Sequence, residues 1–122
     1  MTDGTDQGPR EREDLPTAEE IAEEVYRVGS ENDVTPSKVI VFGSYAVDEA
    51  TSESDADVVV VSSEIDEDDF HARRYHWDWD WNHDQYPPLD LIVLRPDEFG
   101  DFKNREHHIV AEAVNTGVKF KF

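Results

Sequence analysis

The sequence contains no cysteine, so a disulfide framework and a thiolate zinc site are both excluded. It also lacks any apolar run approaching the ~20 residues that a helix needs to cross a bilayer. The N-terminal residues are acidic and polar, unlike a secretory signal. These absences predict a soluble, cytoplasmic protein without membrane contact.

Positive charge is scarce: 11 Lys and Arg residues stand against 30 Asp and Glu residues, and the formal net charge is −19. Such acidic chains resemble the proteins of salt-accumulating halophilic archaea, in which molar salt shortens the Debye length to about 3 Å and screens self-repulsion. The alternative is an acidic mesophilic protein with a charged tail. The acidity argues against nucleic-acid binding, because neutralising phosphates requires clustered Lys and Arg.

Composition divides the chain into a tail and one domain. Residues 1–14 are rich in charge and glycine, so we expect a disordered acidic tail. Residues 15–122 leave room for a single domain with one modest core. Branched apolar runs predict strands at about 38–42, 56–62 and 89–94. Apolar spacing, capping residues and helix breakers predict helices at about 17–30, 44–50, 70–81, from 96 onward and 105–115. Residues 118–122 are predicted to form a strand or an apolar tail.

The pair Gly43-Ser44 leaves the first predicted strand, and Asp55 and Asp57 follow after ten residues, at the head of a run of valines. Carboxylates two residues apart on a strand project from the same face, so Asp55 and Asp57 can bind one or two hard cations. The Gly-Ser turn offers backbone N–H groups and a hydroxyl to phosphate. A short helix after the turn would add its positive dipole end. Together these features predict a site for magnesium beside a triphosphate.

Residues 39–61, VIVFGSYAVDEATSESDADVVVV, resemble the strand, Gly-Ser turn and Asp-x-Asp strand of the nucleotidyltransferase superfamily that includes DNA polymerase beta and kanamycin nucleotidyltransferase. The likeness is greatest to the minimal, single-domain branch of that superfamily. Residues 89–93, LDLIV, are similar to the strand with the third carboxylate, and residues 109–122 to the closing helix and tail. The resemblance implies an α+β fold, in which helices pack against a central mixed sheet of three to four strands.

The resemblance also implies a reaction: a nucleoside monophosphate, AMP from ATP, is transferred from a nucleoside triphosphate to an acceptor hydroxyl with Mg²⁺ or Mn²⁺. The implied catalytic and metal-binding residues are Asp55, Asp57 and Asp90. The implied nucleotide-binding residues are Gly43, Ser44, Tyr45 and Ser54. Packing is the alternative role for Tyr45, and fixing the loop before Asp55 is the alternative for Ser54. Burying Asp90 unpaired on an apolar strand would be costly, which supports a functional role over exposure at a strand edge.

Small relatives of this kind are often antitoxins of HEPN-type ribonucleases, so the implied acceptor is a tyrosine of such a partner, with a homo-oligomer as the alternative assembly. Members commonly continue after Gly-Ser with an aromatic residue, Ala, Arg and Gly, whereas Val47 and Asp48 follow Tyr45 and Ala46 here. An arginine that would face phosphate is thus replaced, and a carboxylate is added. The alternative function is a catalytically impaired module that acts by binding its partner. A third hypothesis is an acidic mimic of nucleic acid.

Three tryptophans, Trp77, Trp79 and Trp81, fall within five residues and cannot all enter one small core. They predict an interface with a partner or a second copy, with stacking on a nucleobase as the alternative. His76 and His83 with Asp78 are a weaker zinc candidate.

Overall fold

The computed structural model describes residues 15–122, and the predicted tail lies outside this range. Four strands and four helices alternate irregularly along this part of the chain, and the fold is mixed α+β as predicted. The helices are α1 (Ala18–Glu31), α2 (Tyr75–Asp80), α3 (Pro96–Phe102) and α4 (Ile109–Thr116). The strands are β1 (Lys38–Phe42), β2 (Ala56–Val61), β3 (Leu89–Leu94) and β4 (Val118–Lys121).

The strands form one mixed sheet in the order β3-β2-β1-β4. Strand β1 is antiparallel to β2 and β4, whereas β2 and β3 are parallel. The parallel pair places Asp57 beside Asp90, and the antiparallel pair places Asp57 beside Phe42. The register therefore decides which polar residues meet at this end of the sheet.

The sheet buries both faces, and alternation along each strand assigns its side chains to one face or the other. The first face, here called the α1 face, packs on α1 and α2 through Val39, Val41, Val58, Val60, Leu91 and Val93. The second, called the α4 face, packs on α3 and α4 through Ile40, Phe42, Val59, Val61 and Leu94. Asp57 and Asp90 alternate with members of the second set and so project on the α4 face.

Helix α1 begins where the capping box predicts. The Thr17 hydroxyl accepts a hydrogen bond from the Glu20 N–H, and the Glu20 carboxylate accepts one from the Thr17 N–H. These bonds satisfy two of the backbone N–H groups that a helix start leaves without partners. The buried stripe of α1 then closes the α1 face.

The predicted helix over 44–50 is wrong. Only a single 3-10 turn forms, over Gly43–Tyr45, and the chain then turns through Asp48 at a positive φ of 60°. A residue in the left-handed region ends right-handed helical geometry, so no long helix dipole points at the Gly-Ser turn. The last helix also starts later than predicted, because His107 adopts a φ of 63° and His108 caps α4 through its Nδ1.

The tryptophan segment divides between core and surface. Trp77 and Trp81 are buried, and their indole N–H groups donate to the carbonyl oxygens of Val25 and Pro87. Trp79 projects outward and is 71% exposed. The prediction that all three cannot enter the core holds, but a surface made by all three is wrong, since Trp77 of α2 and Trp81, which follows the end of α2, both point inward.

A buried ion pair ties the end of the sheet to α3. The Arg73 guanidinium is bidentate to the Glu98 carboxylate at 2.8 and 3.1 Å and also donates to the carbonyl oxygens of Val93 and Glu67. Each buried donor thus has a partner, as burial of a charge requires. Within residues 15–122, no helix combines the length and the apolar character that crossing a membrane would need.

Candidate active site

The predicted carboxylates and the Gly-Ser turn meet at one end of the sheet. Gly43 directly follows β1, Asp57 lies in the second position of β2, and Asp90 in the second position of β3. Paired residues on neighbouring strands lie about 4.8 Å apart, so Asp57 and Asp90 are direct neighbours on the same face. Asp55 precedes β2 by one residue and shares the side of Asp57.

Gly43 is the residue that lets the Asp57 carboxylate approach the turn. Its φ is +74°, a conformation that costs an L side chain about 1–2 kcal/mol. A Cβ at this position would lie 2.3 Å from Asp57 Oδ2. The backbone of the Gly-Ser turn and the Asp57 carboxylate are thus in close contact, with no room for a side chain between them.

The electrostatics of the site centre on Asp57. Burial raises the pKa of this carboxyl group, and the charges of Asp90, Asp55 and Glu112 raise it further. Sequence reasoning missed Glu112, an exposed residue of α4, because it belongs to no motif and reaches the site only through the packing of α4 on the sheet. Four carboxyl groups therefore share one electrostatic environment.

Nothing in the described part of the chain compensates these charges. No ion pair to Asp55, Asp57 or Asp90 is present among residues 15–122, and none of the three carboxylates accepts a hydrogen bond there. A carboxylate without an ion pair or a hydrogen-bond donor beside other carboxylates favours binding of either a proton or a cation. Because the donor set consists of carboxylate oxygens, it fits a hard divalent cation such as Mg²⁺ or Mn²⁺.

The carboxylates do not converge as a closed metal cage. Over residues 15–122, no group of three or more His, Cys, Asp or Glu side chains is close enough together to hold a metal ion. This finding also covers the zinc candidate of His76, His83 and Asp78. Asp55 and Asp90 are both exposed to water.

The exposure of Asp90 corrects one sequence argument. Strand β3 is an edge strand, and Asp90 is solvated there instead of being buried on an apolar strand. The predicted penalty for burying an unpaired acid therefore does not apply to Asp90. What associates Asp90 with the site is its pairing with Asp57 across the parallel strands.

Most of the chain matches a known protein family. The model of the nucleotidyltransferase domain matches residues 18–118. The chain belongs to the nucleotidyltransferase family. It is similar to a solved protein from Sulfolobus solfataricus that is described as a candidate nucleotidyltransferase, with 26% identity over 72% of this chain and 80% of that chain, and a TM-score of 0.46. No protein of curated function matches. Family membership supports a general function in nucleotidyl transfer and implies a nucleoside triphosphate as substrate.

The four predicted nucleotide-binding residues of this nucleotidyltransferase fall into different surroundings. Gly43 and Ser44 form the turn beside Asp57, and the Ser44 hydroxyl makes no hydrogen bond to the described residues. Ser54 fixes the loop instead: its hydroxyl accepts from the Thr51 N–H at 2.9 Å. Tyr45 is 8% exposed and packs in the core of the α1 face, on the opposite side of the sheet from Asp57. These placements favour ligand contact for Gly43 and Ser44, the loop role for Ser54 and packing for Tyr45.

The segment after the Gly-Ser turn carries Val47 and Asp48, where the resemblance implies Arg and Gly. Asp48 takes up a left-handed φ of 60°, a conformation that glycine adopts readily and that aspartate tolerates better than most residues. Val47 is 54% exposed and presents only methyl groups to the surface. This segment therefore accommodates Asp48 in its backbone but brings no positive charge.

Proposed function

We propose that this chain is a minimal nucleotidyltransferase that uses Mg²⁺ to transfer AMP from ATP to the hydroxyl group of an acceptor. The observation that carries the proposal is the contact of the Gly43 turn with Asp57, together with the pairing of Asp57 and Asp90. This proximity supports the proposal, because polyphosphate chemistry requires that phosphate and its cation be held side by side.

In the proposed reaction, the acceptor oxygen forms a bond to the α-phosphorus of ATP. The bond from that phosphorus to the bridging oxygen of the β-phosphate breaks, and pyrophosphate leaves. The hydroxyl proton passes to a carboxylate, for which exposed Asp90 is the candidate. A bound divalent cation supplies charge neutralisation for the triphosphate.

The residues of this chain act by holding and orienting. Asp55 and Asp57 would hold the cation from the head of β2. The Ser44 hydroxyl and the backbone of the Gly-Ser turn would donate hydrogen bonds to the terminal phosphates. The negative charge at the site favours cation binding, because a cation relieves the repulsion among the carboxylates. These carboxylates belong to Asp55, Asp57, Asp90 and Glu112.

The test compares two labels. The protein is incubated with Mg²⁺, a HEPN-type ribonuclease and ATP labelled either at the α-phosphate or at the γ-phosphate. Nucleotidyl transfer predicts that the ribonuclease gains the α-label and not the γ-label, whereas transfer of a phosphoryl group predicts the reverse. A ribonuclease whose acceptor tyrosine is changed to Phe should gain neither label. Absence of α-label on the unchanged ribonuclease would overturn the transfer to that partner.

Asp57→Asn tests the site itself. The substitution removes one cation ligand while keeping the size of the side chain, so transfer should fall by at least 100-fold. The matched control is Asp66→Asn, because Asp66 is an exposed aspartate that lies beyond the other end of β2. Equal activity of the two variants would contradict the assignment of Asp57.

The second candidate function is a partner-binding module without turnover, and the surroundings of Val47 favour it. Val47 brings no positive charge to the segment that follows the Gly-Ser turn, and Asp48 adds a negative charge to that segment. Calorimetry with Mg²⁺ and a non-hydrolysable ATP analogue separates the two functions. Binding of the analogue that disappears in Asp57→Asn supports the transferase, whereas tight binding of the ribonuclease without nucleotide binding supports the module.

A further inference from the structure

Two aromatic side chains of α2 face water side by side. Tyr75 and Trp79 are 58% and 71% exposed, and their ring centres lie 6.0 Å apart. Trp77 lies between them in the sequence and therefore on the opposite side of the helix, where it is buried. Its indole N–H donates to the carbonyl oxygen of Val25 at 3.0 Å. This buried bond holds α2 in place, so the two exposed rings are preorganised for contact.

A cavity of about 420 Å³ opens beside Tyr75. Its apolar lining comes from Val34, Ile65 and Val93, and its volume is within the range of sites that bind small molecules or single side chains. The lining segment 64–67 follows the end of β2, whereas Asp57 lies at the start of that strand. The cavity is therefore separate from the candidate active site.

Four carboxylates line this cavity, and two of them have no partner. Glu64 and Glu67 accept hydrogen bonds from backbone N–H groups and so fix their own loops. Asp33 and Asp66 accept no hydrogen bond and enter no ion pair within residues 15–122. Two negative charges at the cavity are thus available to a cation from outside the described chain.

The other polar groups of the cavity leave these charges uncompensated. Arg73 lines the cavity, but its guanidinium is already bidentate to Glu98. Arg74 precedes Tyr75 in the chain and does not line the cavity. The His76 ring packs edge-on against Tyr75 at a centre distance of 5.8 Å, and its neutral form offers one acceptor nitrogen. The described part of the cavity therefore attracts positive charge.

Negative charge by itself does not mark a site in a chain of net charge −19. The distinguishing feature is that unpaired carboxylates adjoin exposed aromatic faces. A guanidinium is complementary to both, because its planar fork binds carboxylates and its face stacks on aromatic rings. Tyrosine, tryptophan and arginine are also the residues that contribute most to the affinity of protein interfaces. The surface therefore fits arginine better than lysine.

The extent of the surface indicates what carries the arginine. Trp79 does not line the cavity, and it lies four residues from Tyr75, which is about 6 Å along the helix. An occupant that covers both the cavity and Trp79 must therefore be longer than a small amine. A second copy of this chain is disfavoured, because the exposed Asp78 and Asp80 of α2 would meet a surface of the same sign.

We propose that this surface is the docking site for an arginine-bearing segment of a partner protein. A guanidinium enters the cavity and pairs with the carboxylates of Asp33 and Asp66. The chain on either side of that arginine covers Tyr75 and Trp79. The proposal does not depend on nucleotidyl transfer, because no residue of the candidate active site takes part. It also retains Trp79 alone from the interface that the sequence predicted for three tryptophans.

The experiment measures fluorescence anisotropy of a rhodamine-labelled peptide of alternating arginine and glycine. The KCl concentration is the lowest at which circular dichroism shows folded protein, and a peptide with lysine in place of arginine is titrated in parallel. The arginine peptide should bind several-fold more tightly, because lysine lacks the planar fork. Equal affinities would reveal general attraction to an acidic protein and would overturn the proposal.

Variants of the protein locate the binding. Trp79→Leu and Tyr75→Leu keep the net charge, and each should weaken binding of the arginine peptide by about 5-fold or more. The double variant Asp33→Asn and Asp66→Asn should weaken it by about 10-fold or more. Its matched control is Glu49→Gln with Glu53→Gln, which removes the same charge from exposed residues between β1 and β2. Equal losses in the two double variants, or full binding by Trp79→Leu, would contradict the assignment.

Two further measurements test the other occupants. Arginine amide is the small-molecule probe, and it should bind far more weakly than the peptide, because it cannot reach Trp79. Sedimentation velocity without peptide should show a monomer. Arginine amide that binds as tightly as the peptide would overturn the docking of a segment. A dimer that Trp79→Leu dissociates would assign the surface to a second copy and would equally overturn the proposal.

Discussion

Replacing Gly43 by Ala should disturb both the backbone and the carboxylate of the site. Gly43 has a φ of +74°, and an added Cβ would lie 2.3 Å from Asp57 Oδ2. The first effect requires a residue with a side chain to adopt left-handed geometry. The second requires the Asp57 side chain to move away, because an ordinary contact of this kind is 3.4–4 Å.

The two effects can be estimated separately. Left-handed geometry costs an L residue about 1–2 kcal/mol. Moving the Asp57 side chain off its rotamer by about 30° costs about 0.5–1.5 kcal/mol. We therefore expect Gly43→Ala to lower the free energy of unfolding by about 1.5–3.5 kcal/mol, equivalent to roughly 10 °C in Tm for a domain of this size.

Urea unfolding followed by tryptophan fluorescence measures the effect, since Trp77 and Trp81 are buried. The control is Gly100→Ala in α3, where a Cβ would find nothing within 4 Å. This helix position should gain about 0.5–1 kcal/mol in the free energy of unfolding, because Ala is the better helix former. Comparing Gly43→Ala with Gly100→Ala thus separates the effect of replacing a glycine from the effect of a Cβ that collides with a neighbouring side chain.

A double-mutant cycle isolates the contact with the carboxylate. In an Asp57→Ala background the Oδ2 atom is absent, and the nearest remaining contact of a Cβ on residue 43 is the Asp57 Cβ at 3.5 Å. Gly43→Ala should then cost only the backbone part, so the coupling energy should be about 0.5–1.5 kcal/mol. A coupling energy of zero, or a neutral Gly43→Ala variant, would refute the contact between turn and carboxylate.

Two further predictions concern pH. Because the pKa of Asp57 is raised in the folded state, its protonated form contributes stability below its ordinary pKa of about 3.8. This contribution is lost as pH rises through the folded-state pKa. In thermal unfolding without metal, Asp57→Asn should therefore be more stable than wild type at pH 7. A less stable variant would contradict the placement of Asp57 among acids. Arg73 lowers the pKa of Glu98, so the ion pair stabilises the fold above about pH 4.5 and loses this contribution as pH falls through the folded-state value. Arg73→Met should cost about 3 kcal/mol at pH 7 and should weaken the loss of stability in acid, and an unchanged acid unfolding profile would argue against the pair.

Local patterns were sufficient for much of the fold. The capping box of Thr17 and Glu20 gave the start of α1, and branched apolar runs gave the bounds of β1 and β3. These signals depend on residues within a few positions of one another. The helix predicted at 44–50 failed for a local reason that composition does not reveal, namely the left-handed φ of Asp48.

Part of the candidate site could also be predicted from the sequence. Gly43 and Asp57 belong to one motif because β1 and β2 are neighbouring antiparallel strands that are consecutive in the chain, joined by residues 43–55. Asp90 was found by resemblance, and the argument from burial that supported it was wrong, because an edge strand leaves it in water. Tyr45 belongs to the same motif but enters the opposite core.

The sequence alone indicated the family through its motif, and it placed the carboxylates at the head of β2, because alternation along a strand fixes which side chains share a face. Only the tertiary structure decided which distant residues meet. Parallel pairing placed Asp90 beside Asp57, and the packing of α4 brought Glu112 near them. Strand register and helix packing depend on contacts between residues far apart in the chain, so neither composition nor local spacing contains them.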